Sequence, residues 1–317
     1  MKTILSHSTD PYFNLAWEEY IFKHILSDED ILLLWRNTPS VIVGRNQIIY
    51  SEVNVSYCKE ADIPIIRRIS GGGTVYHDLG NINFSVITKN YRDVLSNYAY
   101  FTKPLVAFLQ SLGVNASFSG KSDVVIDGFK ISGNAQMYHN NRVLHHGTIL
   151  FDSDLNSLSK VLKRLSPEIA SFGVKSNRTT VTNVRKHLKQ DLSTLAFKDL
   201  LLEYWLDSPI ESALINLTNI DLKQIDELKN AKYHSWSWNY GESPAFNIEK
   251  KIGTNTLKVK VDLGLIVSVV LEDESKSVLL NTFKGLPYEV GTFLNTLESL
   301  ELDLKKILLE FKHELFD

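Results

Sequence analysis

The densest group of residues that could carry out chemistry spans residues 67–81 and reads RRISGGGTVYHDLGN. Glycine adopts positive φ angles at little cost and lets a ligand approach the main chain. Arginine presents forked donors that suit phosphate or carboxylate. Three glycines that follow two arginines so closely therefore predict a loop that binds an anion.

This loop follows neither of the common nucleotide-binding patterns. No Gly-Lys-Ser/Thr stands at P-loop spacing, and Tyr76 occupies the position where GxGxxG requires its last glycine. A triple glycine by itself is also compatible with a plain turn beside two solvated arginines. The blocks around it have to decide between these interpretations.

A second block, residues 127–136, reads DGFKISGNAQ and contains one lysine among small residues. We expect a strand here, in which Lys130 and Ser132 share one face and Ile131 takes the other. Lys130 would then be placed to hold negatively charged oxygens. The alternative is an ordinary lysine that a strand exposes to solvent.

Two neighbouring histidines, His145 and His146, stand in a third block that reads LHHGT. Successive side chains of a strand point to opposite faces, so these two cannot easily bind one metal ion together. We expect a core histidine whose hydrogen bonds are satisfied.

The elements that must position these blocks alternate between the two periods of regular structure. Apolar residues recur at helical spacing over residues 15–25, after the cap-type residues of 10–14, and residues 31–35 and 41–43 are short β-prone runs. Residues 82–87 alternate as a strand does, and residues 95–112 predict a helix that Gly113 ends.

The next part of the chain predicts a hairpin and then further helices. Residues 129–138 and 143–151 flank the turn formers HNNR, and helices are expected around 155–165 and 197–206. Strands and helices mix without regular βαβ alternation, so the fold class is α+β. The texture changes after residue 246, which predicts one domain over residues 1–246 and a small α+β domain over 247–317.

Composition excludes several classes of protein. The chain has 317 residues, of which 44% are hydrophobic and 22% charged, and these are globular proportions. A net charge of -3 offers no general attraction to nucleic acid. Cys58 is the single cysteine, so neither an intramolecular disulfide nor a thiol-based zinc site is available. With no secretory signal and no membrane-spanning run, we expect a cytoplasmic protein.

The sequence resembles the lipoate-protein ligase A family over essentially its full length. The blocks that carry the resemblance occur in the family's order: GRNQ at 44–47, the block at 68–81, KISG at 130–133, HHGT at 145–148, WSWNYG at 236–241 and PAF at 244–246. The combination of the arginine-glycine block with the lysine block is highly specific.

The resemblance implies a large catalytic domain similar to that of biotin ligases, with mixed and antiparallel sheets flanked by helices, and a small accessory domain. It further implies residue roles, with Lys130 as the catalytic residue and Asp123 near Mg²⁺. The residues implied to contact ATP are Arg68, Gly73, Thr74, Val75, Tyr76 and Lys130. Those implied to contact lipoate are Lys130, Arg68, Gly72, His77, Gly133 and His146.

By the same resemblance, the expected activity is ATP-dependent. Lipoic acid and ATP would form lipoyl-AMP, and the lipoyl group would pass to a lysine of a lipoyl carrier domain. The expected carriers are E2 subunits of 2-oxoacid dehydrogenases, the glycine cleavage H protein, or both. Neither nucleic acid nor a membrane is expected as a partner.

Three alternatives stay open. A cysteine-dependent octanoyl or lipoyl transferase of the same fold needs a nucleophilic thiolate at its pocket, but Cys58 is far in sequence from the lysine block. A non-catalytic module that captures lipoate or lipoyl domains would retain the pocket without the reaction. Biotin ligation is disfavoured because the glycine block lacks the interleaved arginines of that family.

Overall fold

A computed structural model gives the architecture of the protein and describes residues 1–89, 91–120, 122–162, 169–171, 173–176, 179–273 and 277–316. The strands are β1 (Lys2–Thr3), β2 (Ile31–Trp35), β3 (Ser40–Val43), β4 (Ile65–Arg67), β5 (Val75–His77), β6 (Asn81–Thr88), β7 (Ala116–Ser119), β8 (Asp123–Ile126), β9 (Phe129–His139), β10 (Arg142–Leu150), β11 (Ile169–Ser171), β12 (Phe246–Ile252), β13 (Asn255–Asp262), β14 (Leu265–Glu272) and β15 (Ser277–Leu279).

The α-helices are α1 (Pro11–His24), α2 (Ile49–Glu52), α3 (Val55–Glu60), α4 (Tyr91–Val94), α5 (Tyr98–Ser111), α6 (Leu155–Val161), α7 (Thr194–Leu206), α8 (Ile210–Ala213), α9 (Asn219–Leu228), α10 (Val290–Leu297), α11 (Leu302–Glu310) and α12 (Lys312–Phe316). Short 3₁₀ or π-helical turns occur at Val184–His187, Lys229–Tyr233, Ser237–Gly241 and Asn281–Phe283. Within the described residues, no helix has both the length and the apolar character that crossing a bilayer requires.

The described strands form three sheets. The largest has the order β1-β2-β6-β10-β9-β8-β7, and apart from the parallel β1/β2 pair its strands are antiparallel. A small mixed sheet has the order β4-β3-β5, and a third has the order β11-β12-β13-β14-β15. These mixed and antiparallel sheets with their helices make the fold α+β, as the sequence predicts.

Helices cover both faces of the large sheet. On one face, α5 and α7 bury aromatic and aliphatic side chains such as Phe101, Phe108 and Phe197 against the sheet. On the other, α1 packs with residues of β2 and of the small sheet, including Leu33 and Ile42. Every residue of β6 is buried, as expected for a strand covered on both sides.

Local chemistry explains where several elements begin and end. Asp10 caps α1 by accepting a hydrogen bond from the backbone N–H of Tyr12 at 2.9 Å. The hairpin of β9 and β10 turns at Asn140 and Asn141, which have φ angles of 46° and 60°, values that asparagine tolerates better than most residues.

Most of the predicted elements are confirmed, with shifted bounds. The helix expected over residues 95–112 runs from Tyr98 to Ser111, and Gly113 follows with a φ of 78°. The helix expected around 155–165 extends from Leu155 to Val161, and its last three predicted positions lie outside the described residues. The division into residues 1–246 and 247–317 stays a prediction.

Candidate active site

A pocket of about 270 Å³ opens between the large sheet and the small sheet. Its walls come from α1, β2, β3, the loop between β4 and β5, the strands β5, β6, β9 and β10, the start of β8 with the preceding Ser122, and the short stretch at 174–176. Most of the predicted site residues line it, namely Arg68, Gly72, Gly73, Thr74, Val75, His77, Asp123, Lys130, Gly133 and His146.

One row of residues across the large sheet sets the length of this pocket. Trp35 pairs with Asn83, and Asn83 pairs with Thr148. The row continues to Gly133, whose N–H donates to Thr148 Oγ1 at 3.3 Å and which pairs with Asp123. All five residues line the pocket. Strands lie about 4.8 Å apart, so the four steps from β2 to β8 span roughly 19 Å.

Arg68 shapes the glycine loop from inside. Its Nη2 donates to the carbonyls of Gly71 and Gly73 at 2.5 and 2.8 Å, its Nη1 to the carbonyl of Ile42 at 3.2 Å, and its Nε to Ser70 Oγ at 3.0 Å. Burial lowers the pKa of Arg68 to about 10, which leaves the guanidinium charged at neutral pH. Arg68 therefore brings a positive charge to the loop and also holds the loop's shape.

Arg67 has a different role from its neighbour, and the prediction that both arginines form the anion site is wrong for this one. Its side chain is fully buried and does not line the pocket. It donates instead to the backbone carbonyls of Gly44, Arg45, Gln47 and Asn239 and to Ser243 Oγ, over 2.8–3.2 Å. With its donors used in this way, Arg67 ties residues 44–47 to residues 239–243.

Lys130 and Asp123 form an ion pair at the outer end of the pocket. Lys130 Nζ lies 3.0 Å from Asp123 Oδ1, and the two side chains are 22% and 15% exposed. A Cβ added at Gly133 would lie 3.2 Å from Lys130 Nζ, so the glycine leaves room for the ammonium group.

The strand that carries Lys130 departs from the expected alternation. Val124 of β8 pairs with Ser132, whereas the next residue, Val125, pairs with Lys130, so Ile131 is the extra residue of a bulge. Ile131 packs into the core. Gly133 lines the pocket beside Lys130, whereas Ser132 is fully buried and is not part of the lining, so the simple two-residue alternation fails here.

The two neighbouring histidines do face opposite sides of β10, as predicted. His145 stacks on Phe101 with ring centroids 4.5 Å apart. Burial, and to a smaller extent the nearby His146, lowers the pKa of His145 to about 3. His146 lines the pocket, with Nδ1 2.9 Å from Glu18 Oε1 and Nε2 2.6 Å from Ser70 Oγ. His146 thereby links helix α1 to the glycine loop.

Tyr76 is the predicted ATP contact whose side chain is absent from the pocket lining. It is 4% exposed and packs with Val41, Val43 and Cys58 in the cluster behind the small sheet. A contact between Tyr76 and ATP would therefore have to come from its main chain, and this contact stays a prediction.

Sequence reasoning missed several residues that shape the site. Gln47 accepts from the Gly44 N–H and from Thr74 Oγ1 and donates to Ser176 Oγ, so it joins three segments around the glycine loop. Ser176 also accepts from the Thr74 N–H at 3.0 Å. Glu18 is 1% exposed. The sequence could have marked it, because a carboxylate among the apolar residues of a predicted helix is unusual.

The outer end of the pocket offers few oxygen atoms that could bind a metal ion. Among the residues that the structure describes, no three His, Cys, Asp or Glu side chains converge. Asp123 and the neighbouring Ser122 hydroxyl, which donates to Asp123 Oδ1 at 3.1 Å, supply hard oxygens. Mg²⁺ is commonly held by one or two carboxylates together with nucleotide phosphates, and a single carboxylate beside a phosphate site fits that pattern.

Comparison with known proteins identifies the family. The sequence model of the lipoyl protein ligase A/B catalytic domain matches residues 10–206. The chain belongs to this family. It is similar to the lipoate-protein ligase LplJ of Bacillus subtilis, with 38% identity over 304 residues that cover 92% of each chain. Lipoate–protein ligase 1 of Staphylococcus aureus is 41% identical over 266 residues, which cover 83% of this chain and 81% of that one.

Solved structures of lipoate-protein ligases have the same fold. A putative lipoate-protein ligase from T. acidophilum with bound lipoic acid has a TM-score of 0.63 and 28% identity, covering 75% of this chain and 98% of that one. A lipoate-protein ligase A bound with ATP has a TM-score of 0.62 and 28% identity, covering 75% and 97%. The chain is therefore a lipoate-protein ligase family member in both sequence and fold.

Proposed function

We propose that this protein forms lipoyl-AMP from lipoate and ATP and then transfers the lipoyl group to a lysine of a carrier protein. The observation that carries the proposal is the row of pocket residues from Trp35 to Asp123. It joins an inner end, where Trp35 packs with Leu15 and Ile42, to an outer end, where Lys130 pairs with Asp123, and the glycine loop lines the same pocket. A long acyl chain fits the inner part, and its carboxylate then lies at the outer end with ATP.

In the first step, a carboxylate oxygen of lipoate attacks the α-phosphorus of ATP. A P–O bond forms to the carboxylate, the bond to the β-phosphate bridge breaks, and pyrophosphate leaves. The barrier comes largely from bringing anions together in line, and fixed cations and amides lower it. Lys130 Nζ and the N–H groups of the glycine loop supply those donors here, and Arg68 keeps the loop in its shape.

In the second step, the neutral amine of a carrier lysine attacks the acyl carbon of lipoyl-AMP. A C–N bond forms, the C–O bond to the phosphate breaks, AMP leaves as an anion, and the amine gives up one proton. Lys130 stabilises the negative charge that develops on the carbonyl oxygen. The structure of a bi-partite lipoate protein ligase and its E2 lipoyl domain from Thermoplasma acidophilum supports carrier domains of this kind, and E2 subunits and the H protein are the proposed acceptors.

Mg²⁺ is the proposed metal, with Asp123 as its protein ligand. When bound with the phosphates it would neutralise their charge during the first step. In the structure Asp123 pairs with Lys130. Binding of nucleotide would therefore separate the two side chains, with Lys130 turning to the substrate oxygens.

We further propose that residues 1–246 carry out catalysis and that residues 247–317 form an accessory domain, with a hinge near 241–247. The two parts meet at Tyr50, whose hydroxyl donates to the carbonyl of Tyr288 and whose ring lies edge-on to Tyr288 at 4.7 Å. A change of protease sensitivity at the hinge upon formation of lipoyl-AMP would support reorientation. Equal sensitivity with and without the intermediate would argue against it.

The cysteine-dependent transferase is the weaker candidate. Cys58 is 1% exposed, lies in the cluster with Val41 and Ile49, and does not line the pocket. Burial raises its pKa to about 12, so a thiolate is scarce at neutral pH. A thioester intermediate on this residue has no support in the geometry.

The experiment that tests the proposal is exchange of labelled pyrophosphate into ATP. We expect exchange that depends on added lipoate, and transfer of the lipoyl group when a lipoyl domain is supplied. A module that only binds lipoate gives no exchange, and a biotin ligase exchanges with biotin instead. Either of those results would overturn the proposed function.

A further inference from the structure

We propose that His77 selects lipoate over an unsubstituted alkyl acid, because its Nε2–H donates a hydrogen bond to a sulfur of the dithiolane ring. This inference rests on the proposed function, since it takes lipoate as the acid in the pocket. It goes further by assigning the choice between lipoate and octanoate to one N–H group.

The tautomer of His77 is set by a chain of buried amides that begins at helix α1. Asn14 Nδ2 lies 3.0 Å from each of the carbonyl oxygens of Ser8 and Arg36, so this atom has to be the donor. The same Nδ2 meets Asn37 at 2.9 Å, which makes the facing Asn37 atom the acceptor, Oδ1. The amide nitrogen of Asn37 is therefore turned toward His77.

At the end of this chain, Asn37 Nδ2 lies 3.1 Å from His77 Nδ1. An amide nitrogen can only donate, so Nδ1 accepts and the proton of a neutral ring resides on Nε2. The pKa of His77 is lowered to about 3 by burial and by the nearby Arg68 and His146, so the ring is neutral at physiological pH. His77 thus carries a single N–H, at Nε2.

The N–H of His77 at Nε2 is buried. His77 is 3% exposed, and its Nε2 has no hydrogen-bond partner among the residues that the structure describes. Buried polar groups in folded proteins nearly always have a partner, and an exception in a binding pocket points to a ligand. A ligand acceptor next to His77 would complete the hydrogen bonding of the ring.

The position of His77 identifies which part of lipoate supplies that acceptor. Its Nδ1 lies 3.5 Å from Asn83 Nδ2, and its ring meets Trp35 edge-on with centroids 6.0 Å apart. Asn83 and Trp35 form the inner end of the pocket row, three and four strand steps from Asp123. The carboxylate of the acid belongs beside Lys130, so the opposite end of the molecule reaches His77.

The chemistry at the inner end distinguishes the two eight-carbon acids. Lipoate has two sulfur atoms there, which are weak acceptors, whereas octanoate ends in methylene and methyl groups that accept nothing. The Trp35 indole N–H already donates to Ser85 Oγ at 3.2 Å, so Trp35 does not compete for the sulfur. Octanoate would leave the His77 N–H buried without a partner, and a site discriminates against ligands that leave its polar groups unpaired.

The test compares lipoate and octanoate as substrates for pyrophosphate exchange, as the ratio of their kcat/KM values. We expect His77→Leu, which removes the N–H, to lower this ratio about 10-fold, the size of one neutral hydrogen bond, with most of the change in the lipoate value. The matched control is His77→Gln, whose Nε2 amide occupies much the same place and should keep the ratio within about 2-fold of the original. Equal losses for both acids in His77→Leu, or a Gln variant that behaves like Leu, would overturn the inference.

Two further readouts keep the proposal testable if the Leu variant fails to fold. ¹⁵N NMR of the intact protein labelled at histidine should show His77 protonated at Nε2 alone, with an Nε2 resonance that moves on addition of lipoate and much less with octanoate. A ring protonated at Nδ1, or an equal response to both acids, would contradict it. If the unaltered protein catalyses exchange with neither acid, both the proposed function and this inference are wrong. If it catalyses exchange with lipoate and octanoate, and the His77 variants leave the ratio of the two kcat/KM values unchanged, only the inference is wrong.

Discussion

The inner and outer ends of the pocket differ in how firmly their polar groups are held before a ligand arrives. At the inner end, His77 is 3% exposed and is oriented through Asn37 and Asn14, both fully buried. At the outer end, Lys130 and Asp123 are partly exposed and are held by an ion pair with each other. Buried neighbours therefore fix the orientation of His77 at the inner end, whereas Lys130 and Asp123 at the outer end can exchange each other for a ligand.

The difference separates recognition of the acyl chain from chemistry at the carboxyl group. A buried amide chain keeps one orientation because any change would leave buried polar groups unpaired. The partly exposed Lys130–Asp123 pair can be exchanged, because a substrate oxygen can replace the carboxylate of Asp123 as the partner of Lys130. We therefore expect substitutions at the outer end to change activity and those at buried positions to change stability or selectivity.

The largest expected effect is on catalysis at the outer end. Lys130→Ala should lower lipoate-dependent pyrophosphate exchange about 10²- to 10³-fold, because it removes a donor that stabilises developing charge. Unfolding in urea should be nearly unchanged, since the side chain is partly exposed. Lys89→Ala, at an exposed lysine paired with Asp28, is the control and should retain full exchange. Near-normal exchange in the Lys130 variant would remove this residue from its proposed role.

The second prediction concerns acid stability, which buried histidines should control. The pKa values of His77 and His145 are about 3 in the folded protein and near 6.5 when unfolded, so the unfolded chain takes up protons first as the pH falls. The contribution of these two histidines to the free energy of unfolding is fully present above pH about 6.5. It is lost toward pH 3, at about 1.4 kcal/mol per pH unit for each histidine.

This contribution can be measured as the slope of unfolding free energy against pH. His145→Gln should reduce the slope between about pH 4 and 6 by about 1.4 kcal/mol per unit, whatever its effect on stability at neutral pH. An unchanged slope in the His145 variant would show that this ring is protonated in the folded state as readily as in the unfolded state.

A smaller effect is expected at Asp123, which tests whether the outer end holds Mg²⁺ as well as Lys130. Asp123→Asn should raise the Mg²⁺ concentration for half-maximal exchange about 10-fold, because a neutral amide is a weaker ligand for a hard cation. The measurement is exchange rate against Mg²⁺ at fixed ATP. If that concentration is unaltered while the rate falls, Asp123 acts through Lys130 alone.

The smallest effect on activity is expected outside the pocket. Cys58→Ser should keep exchange and lipoyl transfer within about 2-fold, while the hydroxyl placed in an apolar cluster lowers the unfolding free energy by about 1–3 kcal/mol. Both quantities can be measured on one preparation. Complete loss of transfer in a folded variant would revive the cysteine-dependent mechanism.

The elements, the fold class and the family follow from the amino-acid sequence alone. Residues 31–35 are a continuous apolar run, residues 82–87 alternate as a strand does, and Asp10 and Gly113 mark helix boundaries through local chemistry. The glycine block and Lys130 were compatible both with an anion site and with a plain turn beside an exposed lysine, and the resemblance to the family favoured the anion site. These inferences need only neighbours along the chain.

The roles of the individual residues follow only from the folded structure. Arg67 and Arg68 are adjacent and chemically identical, yet only Arg68 reaches the pocket, because β4 ends between them and residues 239–243 take up the donors of Arg67. The proton on His77 is placed by Asn14 and Asn37, which are distant in sequence and carry no mark of that role. Hydrogen bonds between remote segments depend on how sheets and helices pack, and a one-dimensional pattern does not contain that information.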